Sequence, residues 1–391
     1  MKGEIQQPDP GIRPAGDPIG GALAHGPGQG IQIGDGDRGS VQIEDPANGA
    51  HPIYLQLAEA IGIAPPEGAW PTYGIAGIHL IADLDLHYLA PFRRPNSPPP
   101  RLFLGRGDPS RRAPLAVTSA KGWLAGAERA VTRRVLVQGE TLEIEGLGCF
   151  ELGHSGDLIR CVQLAAPRSR PMLEEAAIGA PLALALAHRG IWCLHASALQ
   201  REGRAVLLLG ASGRGKSTLA AYCNGRRGFR RLADDILPCR LNGHSLIALP
   251  AFPQLKLPHE VQRQQASPEA LPVAAIAFLD AGPDDRPAEV LRPSKIGSVR
   301  QLADHTVAAA LFDPELHRRH LDLAAGLLNA TPILQLRYPH DYSRLPEVCR
   351  LLAEGLDHLG QHPYPPNLPR AEGPPEVSAG TPGPLETEGR T

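Results

Sequence analysis

An eight-residue run at positions 210–217 matches the P-loop pattern G-x-x-x-x-G-K-[ST] without a mismatch and constrains the fold of this chain most strongly. The apolar run 205–209 before it is typical of a buried parallel strand, and residues 218–223 have the composition of the first turns of a helix. Glycines let the backbone curl so that N–H groups point at phosphate oxygens, and the following helix offers the positive end of its dipole. The motif therefore predicts a strand–loop–helix unit that binds phosphate.

Each residue type in the motif has a chemical role. Lys216 would place a positive charge on the β- and γ-phosphates, and the Ser217 hydroxyl would bind Mg²⁺. Only five of the 39 lysine and arginine residues are lysines, so a lysine here by chance is improbable. We predict ATP and Mg²⁺ as cofactors, and the nucleotide-binding residues are Gly210, Ala211, Ser212, Gly213, Arg214, Gly215, Lys216, Ser217 and Thr218.

The composition excludes several classes of protein. The formal net charge is −2 and basic residues form no block, which argues against nucleic-acid and membrane-surface partners. No apolar run is long enough to span a bilayer, and the first residues lack the pattern of a signal peptide. The six cysteines are scattered without a C-x-x-C pair, as in a reduced cytoplasmic protein. We expect a cytoplasmic location, and the sequence allows a homo-oligomer.

The amino-acid composition and the pattern of apolar residues change along the chain. Residues 1–50 hold 12 glycines and 6 prolines, and residues 361–391 hold eight prolines, so both segments are predicted to be disordered. Residues 69–165 predict a small β-rich N-terminal domain, with one strand over 73–81 and a hairpin around Gly139-Glu140. Residues 171–358 predict an α/β domain that starts with a helix over 173–188.

Three further residues become candidates for the same site because a P-loop is present. The segment Arg231-Leu232-Ala233 predicts a short strand that ends at Asp234-Asp235, and ligands of open α/β sheets bind at the carboxyl ends of strands. One carboxylate there could bind Mg²⁺, and the other could take a proton from an attacking hydroxyl. His195 lies on the strand before the P-loop strand, where it could polarise an acceptor or tune a nearby aspartate; alone, such a histidine is more often a core residue.

Together these segments resemble the catalytic domain of HPr kinase/phosphorylase. That family has a histidine on the strand before the P-loop, a P-loop ending in G-K-S, and A-D-D on the next strand, which match Leu194-His195, residues 210–217 and Ala233-Asp234-Asp235. The resemblance covers residues 190–240 well and 170–350 loosely. It implies a P-loop kinase domain in which Asp234 is the catalytic base, His195 assists it, Lys216 binds phosphate, and Ser217 with Asp235 holds Mg²⁺.

The chain also departs from that family. Thr218 stands where HPr kinases have glutamate, and the glycine-rich segment that they use for phosphorolysis is not found after the A-D-D strand. The chain looks more like shorter HPr-kinase-like proteins, some of which phosphorylate a serine of a lasso-peptide precursor. The resemblance thus implies a peptide or protein substrate with a phosphorylatable hydroxyl.

Other P-loop classes fit less well. A transporter ATPase needs an L-S-G-G-Q signature and an apolar run ending in Asp-Glu, whereas Leu279-Asp280 is followed by Ala281. A GTPase needs an N-K-x-D motif, which the sequence lacks. A small-molecule kinase on the same scaffold and a non-catalytic nucleotide-binding regulator stay open as alternatives to a serine kinase.

Overall fold

The structure of the chain is a computed structural model. It describes residues 70–83, 86–94, 102–106, 113–124, 127–137, 139–164, 170–243, 245–255 and 270–359. The predictions for residues 1–50 and 361–391 lie outside this part of the chain. The described residues form a mixed α/β structure with two β-sheets and six α-helices.

The first sheet has eight strands in the order β1-β2-β3-β8-β7-β6-β5-β4. β3 pairs in parallel with β2 and β8, and the other neighbours are antiparallel. The hairpin predicted around Gly139-Glu140 is confirmed, but the single strand predicted over 73–81 is two strands joined by a turn at Ala76-Gly77, both with positive φ. The strands are β1 Thr72–Ile75, β2 Ile78–Ala82, β3 Leu102–Arg106, β4 Ala116–Leu124, β5 Ala127–Leu136, β6 Gly139–Ile144, β7 Gly148–Leu152 and β8 Leu158–Leu164.

Two short helices connect the sheets, α1 Arg170–Ile178 and α2 Ala180–His188. The single helix predicted over 173–188 is interrupted at Gly179, and Pro181 in the first turn of α2 lacks the N–H that a continuous helix needs there. Residues 180–187 are all buried, because α2 packs against β7 and β8 of the first sheet and against β9 (Trp192–Arg201) of the second. At Gly156, in the β7–β8 turn, an added Cβ would lie 2.0 Å from the Ala185 carbonyl oxygen, so this close approach requires glycine.

The second sheet has seven strands in the order β10-β9-β11-β12-β13-β15-β14. Because β13 also pairs with β10, strands β10, β9, β11, β12 and β13 close into a ring, and β15 and β14 extend from it. β10, β13 and β15 run parallel to one another. The remaining elements are β10 Arg204–Leu209, α3 Lys216–Cys223, β11 Arg230–Asn242, β12 Ser245–Ala248, β13 Leu271–Ala281, β14 Glu289–Leu291, α4 Lys295–Asp304, α5 Pro314–Ala330, β15 Ile333–Tyr338 and α6 Leu345–Leu359.

A buried ionic network joins β5 of the first sheet to the start of α5. The Arg133 side chain is 1% exposed, and its guanidinium donates to the Glu140 carboxylate, to the Leu311 carbonyl at 2.8 Å and to Asp313 Oδ2 at 2.9 Å. Glu140 also accepts a contact from His188 Nε2 at 2.9 Å. Burial acts to raise the pKa of Asp313, but the hydrogen bond from the Leu316 N–H, by which Asp313 caps α5, and then the Arg133 guanidinium lower it overall.

Replacing Arg133 with methionine should destabilise the fold strongly. The substitution leaves the Glu140 carboxylate buried without its cation, and removing one partner of a buried pair costs about 3–5 kcal/mol. The neighbouring Arg134 forms a solvent-exposed pair with Glu143, so Arg134→Met is a matched control that should cost less than about 1 kcal/mol. Urea unfolding followed by circular dichroism measures both. Equal losses in the two variants would contradict the assignment.

Candidate functional site

The P-loop connects the end of β10 to the start of α3, as the sequence predicts. Gly213 and Gly215 have φ of +81° and +79°, values that L side chains rarely adopt. An added Cβ at Gly215 would also lie 3.0 Å from Tyr338 Oη. The Leu219 N–H donates to the Gly215 carbonyl at 2.8 Å and so opens the helix directly after the loop. The curled backbone and the helix start that phosphate binding needs are therefore both present.

Lys216 lies against the inside of this loop. Its side chain is 8% exposed, and Nζ donates to the Gly210 carbonyl at 2.6 Å and to the Ala211 carbonyl at 3.3 Å. A buried ammonium needs such oxygen partners, because desolvation disfavours an unpaired charge. The loop thus carries a buried positive charge on its inner side, next to the exposed Ser217.

An open cleft of about 600 Å³ borders the first half of the loop. The loop forms one wall through Gly210, Ala211, Ser212 and Arg214. The opposite wall is the end of α4 and the turn after it, with Asp304 and His305. Side chains that could do chemistry line the cleft on its other sides, among them His195 and Asp280.

Asp280 is a candidate residue that the sequence analysis did not assign to the site. It follows the apolar run of β13, whose Phe278 pairs in parallel with Leu209 of the P-loop strand. The two strands therefore end at the same edge of the sheet, and Asp280 enters the cleft beside the loop. Its carboxylate accepts from Gln335 Nε2 at 3.1 Å and from the Ala281 N–H at 2.9 Å. The signal for this residue in the sequence is the apolar run that ends at Leu279-Asp280.

The strand predicted over 231–233 is wrong in length, which changes the setting of the two aspartates. β11 continues to Asn242 because residues 233–239 pair with β9 and residues 239–242 pair with β12, well beyond Asp235. Asp234 and Asp235 thus lie inside a strand and not at its carboxyl end. Asp235 Oδ1 lies 3.3 Å from His195 Nδ1. The structure brings His195, which lines the cleft, to Asp235.

Asp234 has different partners and is 6% exposed. Its carboxylate accepts from Ser197 Oγ and from Arg231 Nη2, each at 2.7 Å, and its N–H donates to Gln254 Oε1 at 2.7 Å. The side chain is therefore held by a hydroxyl and a guanidinium one strand position from Asp235. It is not among the described residues that line the cleft.

His305 shapes the electrostatics of the cleft wall. Burial, and then the nearby charges of Lys216 and His195, lower the pKa of His305 to about 4. The ring is therefore neutral at pH 7 and stacks on Phe278 with 6.4 Å between centroids. Its carbonyl accepts from the His195 N–H at 2.7 Å, which ties this wall to β9. His305 therefore adds no positive charge to those of Lys216 and of Arg214, which lines the same cleft.

The oxygen ligands near the loop suit Mg²⁺, which takes hydroxyl, carboxylate and phosphate oxygens. Ser217 at the start of α3 could offer a hydroxyl, and Asp235 on β11 and Asp280 on β13 could offer carboxylates; of the three, Asp280 lines the cleft. Within the part of the chain that the structure describes, no group of three His, Cys, Asp or Glu side chains could hold a metal ion by itself. Such a group is not needed, since Mg²⁺ is usually bound by one or two carboxylates together with substrate phosphates.

No helix among the described residues is both long enough and apolar enough to cross a bilayer.

Comparisons with known proteins do not assign this chain to a family. No protein-family model matches the chain, and no curated protein matches it. A solved structure of the Hpr(Ser) kinase/phosphatase from Coxiella burnetii aligns with 43% of this chain and 97% of its own, at 13% identity and a TM-score of 0.25. At that TM-score the alignment does not assign the fold, so the function has to be inferred from the loop and the cleft.

Proposed function

We propose that this chain is a phosphotransferase of the HPr-kinase-like type, which transfers the γ-phosphoryl group of Mg-ATP to a serine or other hydroxyl of a peptide or protein. The observation that carries the proposal is the position of Lys216. Its ammonium lies inside a glycine loop that opens into a cleft containing carboxylate and imidazole groups. Phosphoryl transfer depends mainly on positioning and charge stabilisation, and this arrangement offers both.

In the proposed mechanism the P-loop N–H groups and Lys216 bind the phosphates. Ser217 and Asp235 would hold Mg²⁺, which supplies positive charge to the phosphate oxygens when bound. His195 keeps Asp235 oriented through its 3.3 Å contact. Asp234 would accept the proton of the attacking hydroxyl, a role that requires the substrate to approach β11 beside Ser197. Asp280, which lines the cleft with Gly210 and Ser212, is a second carboxylate available to the metal.

Two alternatives have observations in their favour. The cleft volume of about 600 Å³ falls in the range of small-molecule sites, which favours a small-molecule kinase. The buried contacts of Asp234 with Ser197 and Arg231 could also serve stability alone, which favours a regulator that binds nucleotide without catalysis.

A transfer assay separates these functions. The parent protein, incubated with Mg-[γ-³²P]ATP and a library of serine-containing peptides, should yield labelled peptide, with mass spectrometry locating the phosphate on a hydroxyl. Label on small alcohols alone would move the assignment to a small-molecule kinase. If the parent binds ATP but transfers phosphate to no acceptor, the result supports the regulator. If the parent does not bind ATP, the proposal is wrong.

A further inference from the structure

A second depression, called the groove below, borders the other end of the P-loop. It has a volume of about 80 Å³ and lies between the loop and helix start, at Gly215 and Thr218, and the segment after β15, at Tyr338, His340 and Tyr342. The large cleft meets the loop at Gly210–Ser212 instead. The loop therefore has one depression at each end.

The direction of a bound nucleotide follows from this asymmetry. In a P-loop the lysine reaches the β- and γ-phosphates while the backbone N–H groups also cradle the α-phosphate. In this chain the groups suited to transfer chemistry, His195 and Asp280, lie in the large cleft. The γ-phosphate belongs at that end, so the nucleoside must leave the loop toward Gly215 and Thr218.

The segment at that end presents an aromatic ring to solvent. Tyr342 is 77% exposed and lines the depression, so its ring is open to solvent beside the loop. Its turn is well braced, because Asp341 accepts from the Ser343 N–H at 2.9 Å and from Ser343 Oγ at 2.5 Å. These bonds, that of the Ser343 hydroxyl first, lower the pKa of Asp341. The turn is followed by the buried Leu345 at the start of α6.

A hydrogen bond fastens the groove to the phosphate loop. Tyr338 Oη donates to the Arg214 carbonyl at 3.2 Å, and the same hydroxyl is the group that an added Cβ at Gly215 would meet. Burial raises the pKa of Tyr338 to about 12, so the hydroxyl remains a donor at neutral pH. The groove and the phosphate loop are thus held in one arrangement before any ligand binds.

We infer that this groove binds the base and sugar of the nucleoside triphosphate, with the Tyr342 ring stacked on the base. The inference rests on the nucleotide binding in the proposed function and adds the site of the nucleoside. Stacking on a tyrosine uses the face that every base has, and the groove is shallow. We therefore expect ATP and GTP to bind with similar affinity.

The test compares ATP with inorganic tripolyphosphate by calorimetry, because tripolyphosphate fills the loop without a base. Tyr342→Ala should weaken ATP binding about tenfold, the size expected for loss of one stacked base, and leave tripolyphosphate binding unchanged. Tyr342→Phe keeps the ring and should bind ATP as the parent does. Leu321→Ala, at an exposed position on α5, is the control for a surface truncation.

The outcomes separate this inference from the proposed function. If the parent binds both compounds and Tyr342→Ala changes neither affinity, the groove is not the nucleoside site, while nucleotide binding by the loop stands. If Tyr342→Phe loses as much ATP affinity as Tyr342→Ala, the stacking role is wrong. If the parent binds neither compound, the proposed function and this inference both fail.

Discussion

Alanine in place of Lys216 should weaken Mg-ATP binding by about 10- to 150-fold, the range expected when a charged hydrogen-bond donor to a phosphate is lost. The ammonium donates to two carbonyls of its own loop, those of Gly210 and Ala211, and β10 is held in the sheet by its pairing with β9 and β13, so the fold should survive. Calorimetric titration with Mg-ATP measures the loss, and a thermal melt by circular dichroism verifies the folded state.

Lys121 provides the matched control. It is an exposed lysine on β4, far along the sequence from the loop, and Lys121→Ala removes the same charge from the protein. This variant should bind Mg-ATP with the affinity of the parent. Unchanged ATP affinity in a folded Lys216→Ala protein would contradict nucleotide binding by the P-loop, and an equal loss in both variants would reduce the effect to net charge.

The elements around the P-loop could be predicted from sequence because their signals are local. An apolar run, a glycine motif and a helix start follow one another within 20 residues, and the structure confirms β10, the loop and α3. Lys216 is assigned by its place in the motif, and its role in phosphate binding stays a prediction; in the structure its ammonium donates to the Gly210 carbonyl.

The failed prediction for the end of β11 depended on long-range pairing. The length of β11 is set by its register with β9, and nothing between residues 231 and 242 signals that the strand continues past Asp235. For the same reason the sequence could not show that His195 contacts Asp235 while Ser197 and Arg231 hold Asp234. Asp280 was missed because its meaning depends on β13 pairing in parallel with β10, about 70 positions earlier in the chain.

Asparagine in place of Asp234 should separate binding from catalysis. The substitution keeps the shape of the side chain and removes the proton acceptor, so Mg-ATP should bind with nearly the affinity of the parent. Phosphoryl transfer should slow by about a hundredfold or more, since general-base assistance contributes about 10²–10⁴-fold. Asp235→Asn should instead raise the Mg²⁺ concentration needed for half-maximal transfer. The measurement is the initial rate of ³²P transfer to the peptide acceptor at several Mg²⁺ concentrations.

Ser197→Ala distinguishes a chemical role of Asp234 from a structural one, because it removes the 2.7 Å hydrogen bond to Asp234 and leaves the carboxylate in place. If Asp234 is the base, Ser197→Ala should retain most of the transfer rate, whereas Asp234→Asn should not. If both variants lose stability and rate together, Asp234 maintains the β9–β11 pairing and the base must be sought in the cleft, where Asp280→Asn becomes the decisive variant. A parent-like transfer rate in Asp234→Asn would exclude Asp234 as the base, since the amide cannot accept the proton of the attacking hydroxyl.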